Sequence, residues 1–375
     1  MLEFTFDRLI DRENICDLET QRKLLQKLVD QKQNIVLYAQ RNYGKTSLIK
    51  NVIIDDFQKT HKKSFVFFVD LMGVKDLDSI TVRLKHALEH SIKESFPIKS
   101  LATSIKEFFT NLKTTISFDA ATGIPSISIE PANSHRKKIT IEDIFQSIGK
   151  IGKKIPALIV LDEFQDVSLV SEAEGLFRNA FQQIKSAPII ILGSKKHLLK
   201  NIFALPKSPL ANFGKDVTIE EIDYEKYHDY INERFRLKKL KISKDDSKYL
   251  QDLMQRQPEA MNLLCHEIFQ DHTRKKIDRE IILKTVQQIL DQRGKRFEIM
   301  LSHFSASEEK VIIGIAKAQS IFKPQSKDFT HAVGLTARTV KINIDKLMDQ
   351  GMIDEDGGEY YVCDPLLNLY LRQFR

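Results

Sequence analysis

Over the first 220 residues, short apolar runs ending in turns alternate with stretches in which apolar residues recur every three or four positions. Asn34 to Ala39, Phe65 to Leu71, Ala157 to Asp162 and Pro188 to Gly193 have strand length, and a shorter run lies near Val217 to Glu220. All but the last carry apolar side chains at consecutive positions, which predicts strands covered on both faces. Strands alternating with helices predict an α/β fold, a parallel sheet with helices on its faces. Between the second and third runs, TTISFDAATGIPSISIEP places Ile116, Phe118, Ile127 and Ile129 in alternation around a Gly-Pro turn, predicting a β-hairpin insertion near 114–131.

From Ile222 to about Asp291 the long apolar runs stop, and stretches such as KYHDYINERF and AMNLLCHEIF read as charged amphipathic helices. Beyond residue 300 the pattern changes again. Ser305 and Glu308 form a capping box ahead of Val311, Ile312, Ile315 and Ala316, Ser326 and Thr336 cap two more helices, and Gly334 and Gly351 stop them. MIDEDGGEYYV then predicts two short strands about Gly357 and Gly358, which completes a winged helix-turn-helix. Asp364 and Pro365 open a last helix. The expected division is therefore 1–222 for the α/β domain, 223–299 for a helical domain and 300–375 for a winged helix.

The first apolar run ends in Ala39-Gln40-Arg41-Asn42-Tyr43-Gly44-Lys45-Thr46, the P-loop pattern with alanine at the first glycine position, and a helix opens through Ser47. Such a loop presents successive backbone N–H groups and a helix N-terminus to phosphates, so Gln40 to Ser47 form the candidate nucleotide-binding stretch. Lys45 has the reach for the β and γ phosphates, and the Thr46 hydroxyl suits Mg²⁺. A side chain at position 44 would collide with phosphate, whereas a methyl at the strand end is easier to fit, so Ala39 is expected to be tolerated. The third run ends in Asp162-Glu163, the Walker B form: Asp162 for the Mg²⁺ shell and Glu163 to polarise the attacking water. The next run delivers Ser194 to the same sheet edge, where it can sense the γ-phosphate or orient water.

With these motifs in place, the chain resembles the archaeal-type ATPase family, a STAND branch related to AAA+ proteins. The resemblance rests on IDRENICDLE, RNYGKTSLI, LIVLDEFQ, ILGSKKHLLKNIFALPKSPLANFGKDVTI, RQPEAMNLL and the ending LTARTVKINIDKLMDQGMIDED to YYVCDPLL. It implies a sheet of order 5-1-4-3-2, a helical lid, ATP and Mg²⁺, with nucleotide held between α/β core and lid. It further implies that Arg12 lies on the adenine side and that Pro258 belongs to the lid turn. Ala39, Asp11 and Arg256 depart from the family pattern, and Arg256, where glycine is usual, is expected to place a cation near phosphate. Arg178 and Arg234 are the candidates for an arginine finger.

Composition narrows the function classes. The chain has 375 residues and 3 cysteines without a CxxC pair, which points away from a disulfide framework or a zinc site and fits a reducing cytoplasm. No run approaches the span of a bilayer, and MLEFTFDRLIDRE carries acids early with no apolar signal core, so no membrane association is expected. The net charge of +7 is diffuse, densest at Arg234, Arg236, Lys238, Lys239 and Lys241.

Three functions follow. The first is an ATP-hydrolysing conformational switch that acts through its winged helix or an unknown protein partner. The second is a DNA-binding initiator- or regulator-like ATPase using the helix Thr336 to Gln350, with Val340, Ile344, Leu347 and Met348 buried and Arg338, Lys341 and Asn343 facing a groove. Asp354, Glu355, Asp356 and Glu359 make the wing acidic and would repel the phosphate backbone, so duplex DNA is not the favoured partner. The third, a scaffold that barely hydrolyses, fits poorly with intact Lys45, Thr46, Asp162 and Glu163.

Overall fold

The computed structural model describes residues 4–96, 112–118, 125–131, 140–270 and 275–375. Along the first part of the chain come β1 (Ile35–Tyr38), β2 (Phe65–Asp70), β3 (Leu112–Phe118), β4 (Pro125–Pro131), β5 (Ala157–Asp162), β6 (Ile189–Gly193) and β7 (Lys215–Thr218). Five of them pair in parallel as β7-β1-β6-β5-β2. Counting sheet strands alone, this is the expected order 5-1-4-3-2.

The central strands β1, β5 and β6 are buried at every residue, as their consecutive Ile, Leu and Val side chains require under helices on both faces. β2 departs from the expectation of full burial, because it is an edge strand: Val66 and Phe68 are half-buried and Asp70 is exposed. The Lys50 ammonium covers the Phe68 ring, 4.1 Å from its centroid. At the opposite edge β7 buries only Val217 and starts at Lys215, earlier than its apolar residues suggest, because its register is fixed by pairing with β1.

Helices join the strands with the caps expected of them. Asp76 with Ser79 and Thr140 with Asp143 form capping boxes on the helices Leu77–Ser95 and Ile141–Gly152. β3 and β4 pair antiparallel with Ile116 opposite Ile127, and the Ile129 N–H donates to Glu89 of the helix Leu77–Ser95 at 3.1 Å. Of the Gly-Pro turn expected between them, Pro125 opens β4 opposite Phe118 and Gly123 lies outside the described residues.

The chain groups into two compact units, one of Glu19–Gln40 with Lys45–Ile219, the other of Met1–Leu18, Arg41–Gly44 and Glu220–Arg375. The second unit has one continuous core, to which Ile231, Phe235, Met261, Phe297, Val311, Leu347 and Leu371 all belong. Its helix Arg279–Leu301 runs across the 299/300 border expected from sequence. Two short strands, β8 (Lys241–Ile242) and β9 (Lys276–Ile277), pair in parallel where only helices are expected, each burying a single isoleucine. Two residues are too few to register as a periodicity.

The end of the chain is the expected winged helix. Ser305, Ser326 and Thr336 cap the helices Ala306–Ala318, Lys327–Val333 and Ala337–Asp349. The wing pairs β10 (Ile353–Asp356) with β11 (Glu359–Val362) through Gly357 and Gly358, whose φ values of +62° and +89° suit glycine. Asp364 accepts from the N–H groups of Leu366 and Leu367 at the start of Pro365–Phe374.

Candidate functional site

In the α/β unit the C-terminal ends of β1, β5 and β6 lie side by side, and the polar residues that follow them converge. Ala39 is 2% exposed and lies outside the positive-φ region, so the strand end makes no demand that only glycine meets. Past the loop, Lys45 opens a helix that passes from an α turn (Lys45–Leu48) through a π segment (Ile49–Ile54) to Asp55–Thr60. The Lys45 side chain is buried and its Nζ donates to the Gln40 carbonyl at 3.2 Å; Ser47 is buried as well.

Thr46 Oγ1 donates to Asp162 Oδ2 at 2.9 Å. Asp162, the last residue of β5, is buried; loss of water first, then the neighbouring Glu163 carboxylate, push its pKa up, against the Thr46 hydrogen bond. Glu163 follows with φ 51° and ψ 39°, a left-handed backbone uncommon for a side-chain-bearing residue. Its Oε2 accepts from Ser194 Oγ at 2.7 Å and from Gln165 Nε2 at 2.6 Å.

Mg²⁺ is commonly held by one or two protein oxygens, with waters and substrate phosphates filling its octahedron. The paired Thr46 and Asp162 oxygens fit that donor set. Among the described residues no group of three or more His, Cys, Asp or Glu forms an all-protein metal cage.

The remaining candidates lie in the second unit. Asn42 and Gly44 have φ values of +65° and +75°, and no atom lies within 4 Å of a Cβ built at Gly44, so local backbone shape favours glycine there rather than crowding. Tyr43 is buried, its hydroxyl 3.5 Å from the Gln255 carbonyl, and burial raises its pKa to about 12. That side chain is committed to packing. Gln257 Nε2 donates to the Cys363 carbonyl at 2.9 Å and approaches that of Arg41 at 3.5 Å. Pro258 starts the helix Pro258–Gln270, and Arg12 starts the short 3-10 turn Arg12–Asn14. Arg41 and Asn42 line a cavity of about 460 Å³ with Glu259, Arg293, Arg296 and Asp364.

Two expectations, those for Arg234 and Asn343, are corrected, and the partners of Arg256 are identified. Arg234 is 1% exposed and stacks 3.5 Å from the Tyr230 ring centroid, with Asn14 Oδ1 at 3.0 Å and the Glu13 carbonyl at 3.4 Å, so it cannot be offered to another molecule. The Arg256 guanidinium pairs with Glu221, reaches the Ile222 carbonyl at 3.4 Å and stacks on Tyr224, which anchors a turn where Arg256 itself has φ +50°. A positive φ favours glycine, and the aromatic and carboxylate partners hold arginine in that conformation. Asn343, expected to face a groove, is 3% exposed and lies with Val340, Ile344 and Leu347 on the inner face of its helix.

Gln165 was not singled out by sequence. Its signal was available: an amide three residues after the strand-end Asp162, among the acids of LDEFQD.

Residues 19–192 match the family model described as the KAP family P-loop domain. The chain carries a P-loop NTPase fold. Residues 295–373 match a probable winged helix domain. No curated protein matches the sequence. Among solved structures, the Walker-type ATPase PABY2304 of Pyrococcus abyssi superposes with a TM-score of 0.66 at 16% identity, over 98% of this chain and 99% of that one. The ORC2 protein of Aeropyrum pernix, in ADPNP–ADP complexes, gives 0.54 at 11% identity over 98% and 96%. The ORC1 protein of the same organism, in complex with DNA, gives 0.50 at 12% identity over 99% and 95%. These identities establish fold alone, a P-loop NTPase core with a winged helix. The resemblance to archaeal P-loop ATPases is borne out at that level, and the matching family model is the KAP domain.

Proposed function

We propose that this P-loop NTPase binds ATP with Mg²⁺ and hydrolyses it slowly, as a conformational switch whose output passes through the winged helix or a protein partner. The observation that carries the proposal is the strand-end cluster: Thr46 joined to Asp162 at 2.9 Å, and Glu163 beside it with one carboxylate oxygen held by Ser194 at 2.7 Å. Lys45 and the backbone N–H groups of Gln40 to Ser47 bind phosphate, with Arg12 assigned to the adenine side and Pro258 to the lid turn by resemblance. Thr46 and Asp162 would hold Mg²⁺, which when bound would supply charge neutralisation at the phosphates. Glu163 orients water and takes its proton, and Ser194 fixes the carboxylate.

The test is a pair of substitutions. Lys45→Ala should abolish binding of a fluorescent ATP analogue, whereas Glu163→Gln should bind it and lose turnover by about 100-fold or more. Turnover of Glu163→Gln at the parental rate would overturn the role given to Glu163.

A second reading, in which the winged helix binds duplex DNA, has one supporting observation: Arg338 and Lys341 are exposed on the helix Ala337–Asp349. The acids of the wing oppose it, and Asp345 and Asp349 share that exposed surface. Fluorescence anisotropy of a labelled duplex against salt decides. A steep fall of affinity with salt would favour DNA; no binding at low salt would remove it.

A further inference from the structure

We propose that Gln165 is a positioning residue for hydrolysis, holding the Glu163 carboxylate so that one of its oxygens is fixed and the other is left for the attacking water. The inference rests on the assignment of Glu163 above and adds a residue to it.

Gln165 is 2% exposed, yet it carries an uncharged amide among carboxylates. Its Nε2 donates to Glu163 Oε2 at 2.6 Å and lies 3.3 Å from Asp166 Oδ1. Asp166 is itself fixed, because its Oδ2 accepts from the Gly73 N–H at 2.6 Å in the loop after β2. Ionised carboxylates only accept hydrogen bonds, so the two acids define which way the amide faces: the nitrogen must point at them. The consequence is visible on the other end. Gln165 Oε1 is buried without a hydrogen-bond partner among the described residues. An orphaned buried carbonyl costs free energy, and here its cost accompanies a nitrogen held on Glu163.

The backbone is shaped around this amide. A Cβ at Gly193 would lie 2.0 Å from Gln165 Oε1 and 2.9 Å from Leu199 Cδ1, so the last residue of β6 has no room for a methyl while Gln165 stays in place. Glu163 stands in a left-handed conformation that directs its carboxylate toward both Gln165 and Ser194. Two donors on Oε2 leave Oε1 as the acceptor for water, and they resist rotation about the terminal side-chain bond. Ser194 alone supplies one of them. The amide of Gln165 supplies the other and ties it to the β2 loop through Asp166.

The test uses the full chain and steady-state ATP hydrolysis, with Gln165→Glu and Gln165→Leu beside the parent and Glu163→Gln. Both Gln165 variants should lower kcat about 10- to 100-fold while KM for ATP and affinity for ADP stay within about twofold. Gln165→Glu keeps size and shape. Placed against Glu163 and Asp166, the introduced carboxyl has a raised pKa and regains a donor when protonated, so its kcat relative to the parent should recover as pH falls from about 8 to about 6. Loss without that recovery would assign Gln165 to packing and overturn the inference. So would kcat at or above the parental value, which would make the amide irrelevant or a restraint. Should Gln165→Leu fail to fold, Gln165→Glu decides alone. An active parent and inactive Glu163→Gln with active Gln165 variants would sink this inference and leave the function above standing; a parent that does not hydrolyse ATP removes both.

Discussion

Two buried polar clusters, one in each compact unit, are built from similar groups and finish differently. Around Arg234 the protein satisfies itself: the guanidinium meets Asn14, the Glu13 and Tyr230 carbonyls and the Tyr230 ring, with Glu233 at 3.5 Å. At the ends of β5 and β6 the groups are equally crowded but incomplete. Gln165 Oε1 has no partner among the described residues, Asp162 has its pKa pushed up by burial and by Glu163, and Glu163 has one oxygen doubly held. Buried polar groups that are fully paired stabilise a fold, whereas unsaturated ones persist where something else must complete them. The difference separates scaffold from site.

The sharpest way to break this contrast is to remove one partner from each cluster. Thr46→Ala takes away an oxygen that the strand-end cluster would offer to Mg²⁺, and turnover should fall by about 100-fold or more with little change in thermal stability. A Tm drop as large as the activity loss would make Thr46 scaffold. Arg234→Ala should do the reverse. It removes the guanidinium from Asn14 Oδ1 and the Glu13 carbonyl and opens space in the core, so denaturant unfolding should show a loss of about 2–4 kcal/mol. Hydrolysis per folded molecule should be unchanged, and its loss at parental stability would restore Arg234 as a transition-state cation.

Much of this contrast was readable from the chain. The strands follow from runs of consecutive apolar residues, and the candidacy of Lys45, Thr46, Asp162 and Glu163 from motifs whose spacing serves one chemistry, whereas the strand order was implied by the family resemblance. What sequence missed was set by tertiary partners. Arg234 reads as a candidate arginine finger until Tyr230 and Asn14 are brought against it by the fold. Arg256 reads as a misplaced cation until Glu221 and Tyr224 explain how a side chain is held at φ +50°. Edge position, which halves the burial of β2, is a property of sheet order and leaves little mark on FVFFVD itself.

A smaller effect tests the claim that Asp162 is held at a cost. Its pKa is raised in the folded chain, chiefly by burial, so the folded state binds a proton more readily than the unfolded one. Folding is therefore disfavoured by this group above its folded pKa, and the penalty fades as pH falls through the folded pKa toward the unfolded value. Asp162→Asn removes it. Scanning calorimetry should show Tm higher than the parent by roughly 1–3 °C at neutral pH, with the gain shrinking as pH is lowered, while hydrolysis is lost. A variant that is less stable at neutral pH would show that the Thr46 hydrogen bond outweighs desolvation.

The smallest effect falls on the case that strains the contrast most. Asn343 Nδ2 is buried without a partner among the described residues, like Gln165 Oε1, yet it lies on the inner face of a winged-helix helix. If lack of a partner alone marked function, Asn343 would be a site. Its apolar neighbours Val340, Ile344 and Leu347 argue that it is a packing defect: an amide paying for burial with nothing to accept its protons. Asn343→Leu is nearly isosteric, removes the orphaned donor and should raise unfolding free energy by about 1 kcal/mol, with ATP hydrolysis and any affinity for duplex DNA unchanged. A stabilised, otherwise silent variant would narrow the rule to unsaturated groups that converge on one another, as Asp162, Glu163 and Gln165 do. Weakened DNA binding would instead return Asn343 to the groove-facing role expected from sequence, and the winged helix would join the strand ends as a functional surface.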